Sequence, residues 1–211
     1  MQILLRNMRL SDLEQVNLIE QASFPTPWST LTYVYEIKQN PTTFMGVMEL
    51  VNQPAPQSTS GIFNRLPLLR QSFRKQAPPN IIVAYGGVWV KRGEAHISTI
   101  ASHQDYRRQG LGELMLVALL GRGIHAGASI SGLEVRISNT IAQQLYRKYG
   151  YENDRILPSY YHDNREDAFL MKIHALDDDY LKAFCANVQQ LGERIDFKDQ
   201  FSGLHLETCD L

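Results

Sequence analysis

Hydrophobic and polar positions divide the chain into short alternating elements. Ile3 to Arg9 reads as a strand. In LSDLEQVNLIEQASF, Leu13, Val16 and Ile19 recur at helical spacing, Ser11 stands as an N-cap and Glu14 completes a capping box. Pro25 and Pro27 break FPTPWS into a turn, a second helix is expected from Ser29 to about Gln39, and Phe44 to Val51 reads as a strand. Strand signals resume at Ile81 to Lys91 and Ala95 to Ser102, followed by a helix from about Gly112 to His125. LEVRIS reads as a strand, and NTIAQQLYRKYG as a helix with Asn139 at its N-cap and Gly150 after its end. Tyr151 to Leu157 and Ala168 to Ile173 close the series as a strand pair. Strands and helices interleave, which predicts an α/β or α+β single domain with helices covering a mixed sheet.

Two regions stand apart. Residues 52–80 mix loop-like NQPAPQSTSG and QAPPN with a basic, apolar core, and no acid occurs between Val51 and Gly93. They read as an insertion, either a solvated loop or a basic contact surface for a partner. Residues 174–211 read as an acidic extension, with a helix from Asp178 to about Arg194 and final residues compatible with disorder.

Composition narrows the classes. With 211 residues the chain accommodates one domain and appendages. Its formal net charge of -1 predicts contact with neither nucleic acid nor membrane. MQILLRNMRLSDLEQ has no long apolar run, so no signal peptide is expected. Cys185 and Cys209 form no metal-ligand pattern and read as cytosolic thiols, so a cytoplasmic protein without a metal is expected.

Candidate chemistry begins at DYRRQGLGELM. A Walker A loop fails because Glu113 follows Gly112, and a dinucleotide fingerprint fails because Met115 occupies the third glycine position. What remains is Arg107-Arg108-Gln109-Gly110-Leu111-Gly112, after a strand and opening a helix. It is either a tight strand-to-helix turn or a pyrophosphate cradle, in which glycines admit the ligand and arginines and the helix N-terminus favour its charge.

The surrounding blocks carry a resemblance. SFPTPWS (23–29), STIASHQDYRRQGLGELML (98–116), LEVRISNTIAQQLYRKYGY (133–151) and YYHDNREDAFLM (160–171), in this order and spacing, resemble the GNAT family of acyl-CoA-dependent N-acyltransferases. Within it they are most similar to the RimI-type ribosomal-protein-alanine N-acetyltransferases. The resemblance runs from about residue 3 to 173, apart from the insertion, and implies a GNAT domain over 1–173. It implies a mixed, mostly antiparallel sheet in which a bulge splays two parallel strands at the CoA site. Acetyl-CoA is the implied co-substrate, held by the main chain of Ile100, Ala101 and Ser102, by Arg107, Arg108, Gln109, Gly110, Leu111, Gly112 and Glu113, and by Asn139. Glu134 falls at the proton-acceptor position and Tyr146 at the proton-donor position. Phe24, Pro25, Trp28, Tyr160, Tyr161, Glu166 and Asp167 are the candidates for receiving a peptide N-terminus. Two departures bear on this. Ile-Ala-Ser-His-Gln replaces the more usual Ile-Ala-Val-x-Pro, and Leu157 stands where many relatives carry an arginine.

Each residue also has a plain structural reading. Glu134 suits a surface strand, Tyr146 a core-facing helix aromatic with Tyr149 as its rival, and Asn139 a helix cap. The aromatic and acidic substrate candidates suit packing and strand ends. The resemblance implies acetyl transfer to a protein N-terminus, by direct attack in a ternary complex, with the N-terminal alanine of a small-subunit ribosomal protein favoured. An α-amine, with a reference pKa of about 7.7–8 against about 10.4 for lysine, is easier to deprotonate by roughly 3–4 kcal/mol. Lysine side chains or a small free amine are the alternative acceptors, and a non-catalytic CoA- or partner-binding module is a third reading.

Overall fold

In the computed structural model, which describes residues 2–51 and 81–209, β1 (Gln2–Asn7) buries Ile3 and Leu5 on one face. It pairs antiparallel with β2 (Thr43–Val51), β2 with β3 (Ile82–Lys91), and β3 with β4 (Glu94–Ser102). Beyond β4 lie β5 (Ile130–Arg136), β7 (Glu166–Ile173) and β6 (Glu152–Tyr161); beyond β1 lies β8 (Asp196–Asp199). The described sheet thus has eight strands in the order β6-β7-β5-β4-β3-β2-β1-β8. Only β4–β5 and β1–β8 are parallel among these pairs. The mixed, mostly antiparallel sheet matches the expectation. The expected insertion at 52–80 lies outside the described residues.

Period-two alternation gives the sheet two buried faces. Val47 and Tyr85 face α1 (Leu13–Ser23) and α2 (Thr30–Lys38), while their neighbours Met48 and Ala84 face α3 (Leu111–His125) and α5 (Asp178–Gly192). α3 provides the crossover that the parallel β4–β5 pair requires. It is apolar all round, and Leu114 through Leu120 are fully buried.

The first helix does not start as expected. Residues 10–12 form a single 3-10 turn, and Asp12 rather than Ser11 organises it, accepting the Arg9 N–H at 2.7 Å. Asp12 is buried and bound by the Arg6 guanidinium at 2.7 Å, which also donates to Glu49 at 2.6 Å. The ion pairs hold the Asp12 carboxyl below its ordinary range despite burial. The carboxylate that the tertiary fold needs displaces the cap that local sequence favours.

The segment after Ile173 is also more than an appendage. α5 begins where Asp177 accepts the Tyr180 N–H at 2.9 Å, and it buries Phe184, Val188 and Leu191. β8 then joins β1, and Phe201 packs so closely on Gly46 that a Cβ there would sit 3.0 Å from the ring. Cys185 and Cys209, expected as separate thiols, form a disulfide with Cα atoms 5.6 Å apart, which joins α5 to the last described turn. No described helix is long and apolar enough to cross a membrane.

Candidate active site

The site begins where one ladder fails. β4 and β5 are in register only from Glu94 opposite Ile130 to His96 opposite Gly132. On β4's other side the register slips: Gly87 faces Thr99 but Val88 faces Ile97, so Ser98 is an extra residue. The bulge has room because residue 87 is glycine; a Cβ there would lie 2.6 Å from the Met45 sulfur and 2.8 Å from Ser98 Oγ. Past the bulge, Leu133–Arg136 pair with β7 alone. A cavity of about 570 Å³ opens between the parting strands. Residues 97–100 and 133–136, α4 (Thr140–Lys148) with its cap, the turn after α1 and the β6–β7 arm line it.

At the far end of β4 the chain makes a single turn at 104–106 and enters the glycine loop. Arg108 and Gly110 are left-handed, at φ 64° and 81°, and Gly110 caps α3, which starts at Leu111 rather than Gly112. A Cβ on Gly110 would meet Ile195 at 2.8 Å, whereas on Gly112 it would meet nothing within 4 Å. Gly110 therefore serves conformation and packing, and Gly112 leaves the helix N-terminus open to close approach. The first N–H groups of a helix have no intrahelical acceptor, so they are available to an anion. Arg107 donates to Ser102 O at 3.3 Å and Ser23 Oγ at 3.1 Å, tying the loop to α1; Arg108 and Gln109 are exposed. Glu113 turns elsewhere. Its carboxylate receives Lys148, Tyr149 and Arg194 at 2.5, 2.8 and 3.0 Å, and these bonds hold its pKa down against burial.

Glu134 lines the cavity with its Oε2 2.9 Å from His96 Nε2. That bond raises the imidazole pKa, against burial. Trp89, opposite His96 across the β3–β4 ladder, stacks on its ring at 5.8 Å. Trp28 stacks on Trp89 at 6.5 Å, which brings the FPTPWS turn to the catalytic candidates. Buried Glu20 fixes this turn by accepting the Trp28 N–H at 2.8 Å and the hydroxyls of Tyr33, at 2.9 Å, and Tyr85. Phe24 and Pro25 line the same cavity.

Tyr146 reaches the cavity from α4, and burial pushes its hydroxyl up to about 12. Its rival Tyr149 is buried in the core with its hydroxyl on Glu113. Asn139 lines the cavity and also caps α4, accepting the Ala142 N–H at 3.2 Å.

Tyr160, Tyr161, His162 and Asp163 form the remaining wall. Arg136 holds this arm: its guanidinium lies 3.8 Å from the centre of the Tyr161 ring and donates to Asp163 at 2.7 Å and Glu166 at 3.0 Å. Glu166 also accepts the Ser138 N–H at 2.9 Å, and these bonds, those to Ser138 foremost, lower its pKa to about 2. Asp167 accepts the Ser159 N–H at 2.7 Å. Neither Glu166 nor Asp167 is among the cavity-lining residues; Glu166 binds the backbone of the β5–α4 connection and Asp167 the arm's own backbone instead. His96, Trp89, Arg136, His162 and Asp163 are among the wall residues that sequence reasoning passed over. The Trp89–His96 pairing needs the strand register to be seen, though Arg136 stood in the quoted LEVR.

A family model, Acetyltransferase (GNAT) family, matches residues 69–151. The chain is 32% identical over 166 residues to a Bacillus subtilis protein named "Putative ribosomal protein bS18-alanine N-acetyltransferase", covering 79% of this chain and 91% of that one. An N-alpha-acetyltransferase of Sulfurisphaera tokodaii is 30% identical over 172 residues, covering 79% and 90%. Among solved structures, the ribosomal-protein-S18-alanine N-acetyltransferase from Escherichia coli superposes with a TM-score of 0.61 at 26% identity, covering 81% of this chain and 92% of that one. The chain belongs to the GNAT acetyltransferase family, and it is an N-acetyltransferase by fold and kinship.

Proposed function

We propose that this protein transfers the acetyl group of acetyl-CoA to the α-amine of a protein N-terminus, and that its substrate is the N-terminal alanine of ribosomal protein bS18. The carrying observation is that the unpaired edge of β4 and the side chains of Glu134 and Tyr146 line one cavity. The names of the relatives supply the acceptor. The pantetheine arm is peptide-like and adds to the main chain of Ile100, Ala101 and Ser102 as a strand would. Its pyrophosphate rests on the helix N-terminus at Gly110–Gly112, with Arg108 and Gln109 at the exposed side. Arg107 shapes the loop, and Glu113 braces α3 against α4.

Glu134 accepts the proton that the α-ammonium must lose before its nitrogen can attack the thioester carbonyl. Tyr146 faces the leaving sulfur. A thiol has a reference pKa of about 8.5, so full transfer from a hydroxyl near 12 is uphill by about 5 kcal/mol. Tyr146 therefore stabilises the departing thiolate by donating a hydrogen bond rather than by losing its proton. Phe24, Pro25 and Trp28 on one side, and Tyr160 and Tyr161 on the other, form the slot for the peptide. Glu166 and Asp167 hold that slot's outer wall. We place the protein in the cytoplasm, where ribosomal proteins are made, and assign residues 1–173 as the catalytic domain, with residues 178–209 completing its sheet and one face.

The test is incubation with acetyl-CoA and peptides differing only in their first residue, alongside an internal-lysine peptide with a blocked N-terminus. Acetylation of the alanine-initiated peptide at its α-amine is expected. Acetylation confined to the lysine peptide overturns the reading.

A further inference from the structure

A helix N-terminus attracts anions, and the one closest to hand at α3 is the helix's own glutamate. Glu113 stands third after the Gly110 cap, the position from which a carboxylate folds back over the first N–H groups. Left free, it would put a negative charge where the pyrophosphate of acetyl-CoA is to rest. It is not left free. Oε1 accepts Lys148 Nζ at 2.5 Å and the Tyr149 hydroxyl at 2.8 Å, and Oε2 accepts Arg194 Nη2 at 3.0 Å. Lys148 and Tyr149 end α4, whereas Arg194 belongs to the link between α5 and β8, outside the residues 69–151 that match the family model. We propose, on the placing of the pyrophosphate at this helix end, that Arg194 is a positioning residue of the donor site. It holds Glu113 away from the α3 N-terminus and leaves those N–H groups to acetyl-CoA.

The charges suit that task. Although burial opposes its ionisation, the three bonds keep Glu113 below the ordinary carboxylate range, so the group to be held is an anion. One carboxylate between two cations leaves the cluster net positive. Glu113 is nearly covered, while Lys148 and Arg194 each keep an exposed side, so the positive charge is the one that solvent and an arriving phosphate meet.

The backbone around Arg194 fixes the same loop. Its neighbour Ile195 is buried, and Ile195 Cδ1 lies 2.8 Å from where a Cβ on Gly110 would stand. The left-handed cap of α3 and the clamp on its first acid therefore rest on two consecutive residues. The N–H groups of Arg194 and Ile195 both reach the Leu191 carbonyl at 3.0 Å, so the end of α5 sets their position. α5 is seated in turn on the end of α4: the Tyr180 hydroxyl donates to the Tyr149 carbonyl at 3.1 Å, and Phe184 meets the Tyr149 ring edge-on at 6.4 Å. The C-terminal helix thus bridges the glycine loop and the helix that carries Tyr146.

The test is calorimetry of acetyl-CoA binding to the full-length protein, as wild type, Arg194→Gln, Glu113→Gln and the double variant. Arg194→Gln is expected to weaken acetyl-CoA about three- to tenfold, with kcat at saturating acetyl-CoA and peptide little changed. Glu113→Gln removes the charge that has to be held, so it should bind acetyl-CoA as tightly as wild type or more tightly. Adding Arg194→Gln to it should then cost less than about twofold. A contact that merely stiffens the helix packing is lost in either single variant, so weaker binding by Glu113→Gln overturns the proposal. An equal loss from Arg194→Gln in both backgrounds also overturns it, as does wild-type affinity in Arg194→Gln. Gly112→Asp tests the placing of the pyrophosphate separately. An aspartate in the first turn suits the helix, and a Cβ at 112 meets nothing within 4 Å, so the fold is kept while a negative charge enters the site. Acetyl-CoA affinity should fall more than about tenfold. Wild-type affinity in Gly112→Asp removes the pyrophosphate from this helix end and the role of Arg194 with it. A loss there beside wild-type affinity in Arg194→Gln overturns the role of Arg194 alone.

Discussion

The two sides of the cavity are built from different materials. The side we assign to the donor is main chain: an unpaired strand edge, two left-handed residues and a helix N-terminus, all within residues 97–113. The acceptor side is a mosaic of side chains from distant parts of the chain. Trp28, Trp89 and His96 form one stacked column, and Arg136 pins the Tyr160–Asp163 arm to form the other wall. A backbone site suits what every substrate pair shares, which in the proposed reaction is the CoA moiety. A side-chain site can change its acceptor without disturbing the strand edge. Damage to each side should therefore appear in a different kinetic constant.

The sharpest separation is expected from Glu134→Gln, which removes the proposed proton acceptor but no proposed donor contact. It should lower kcat about 100- to 1,000-fold, most visibly below pH 7, while calorimetry finds acetyl-CoA affinity nearly unchanged. A wild-type rate below pH 7 would sink the assignment of Glu134.

Gly110→Ala attacks the other side. An L-residue forced left-handed costs about 1–2 kcal/mol, and its Cβ collides with Ile195. Acetyl-CoA affinity should fall roughly tenfold with kcat at saturation little changed. If the peptide KM alone responds, the division into two sides fails.

Arg136→Gln frees the β6–β7 arm from Asp163 and Glu166. Its effect is expected in the peptide KM, a rise of about three- to tenfold, because partly exposed ion pairs are individually modest. Acetyl-CoA affinity should not move.

The smallest effect concerns acid stability. Folding lowers the Glu166 pKa from 4.5 to about 2, so the folded state favours its charged form. That contribution is complete above about pH 4.5 and is lost as pH falls toward 2. Wild type should melt slightly above Glu166→Gln at pH 6, and the difference should close by about pH 2.

The contrast between the two sides also governs what could be read from the chain. The donor loop is written in consecutive residues, so Gly110 and Gly112 announced it even though the choice between turn and cradle stayed open. Glu134 and Tyr146 came through resemblance, and the structure sets both on the cavity wall. His96 was silent because its partners lie across two different strand ladders. Ser98 was silent because a bulge shows itself only in register. Glu166 and Asp167 had the composition of a binding pair, but backbone N–H groups of Ser138 and Ser159 claim their carboxylates. Ser11 lost its capping role to Asp12 because Arg6 needed a buried counter-charge. β8, with the sequence DFKD, is short and charged, so no local pattern foretold a strand.

That last strand has a temporal consequence. β8 lies parallel beside β1, so β1 receives this outer neighbour only after residue 199 has been added, long after β1 itself is made. Until then β1 presents a row of unpaired N–H and C=O groups, the feature by which nascent chains misassociate. Chains released early, lacking residues 196–209, should carry an intact candidate cavity on a sheet whose opposite edge is open. Their failure would be one of persistence in the cell rather than of chemistry.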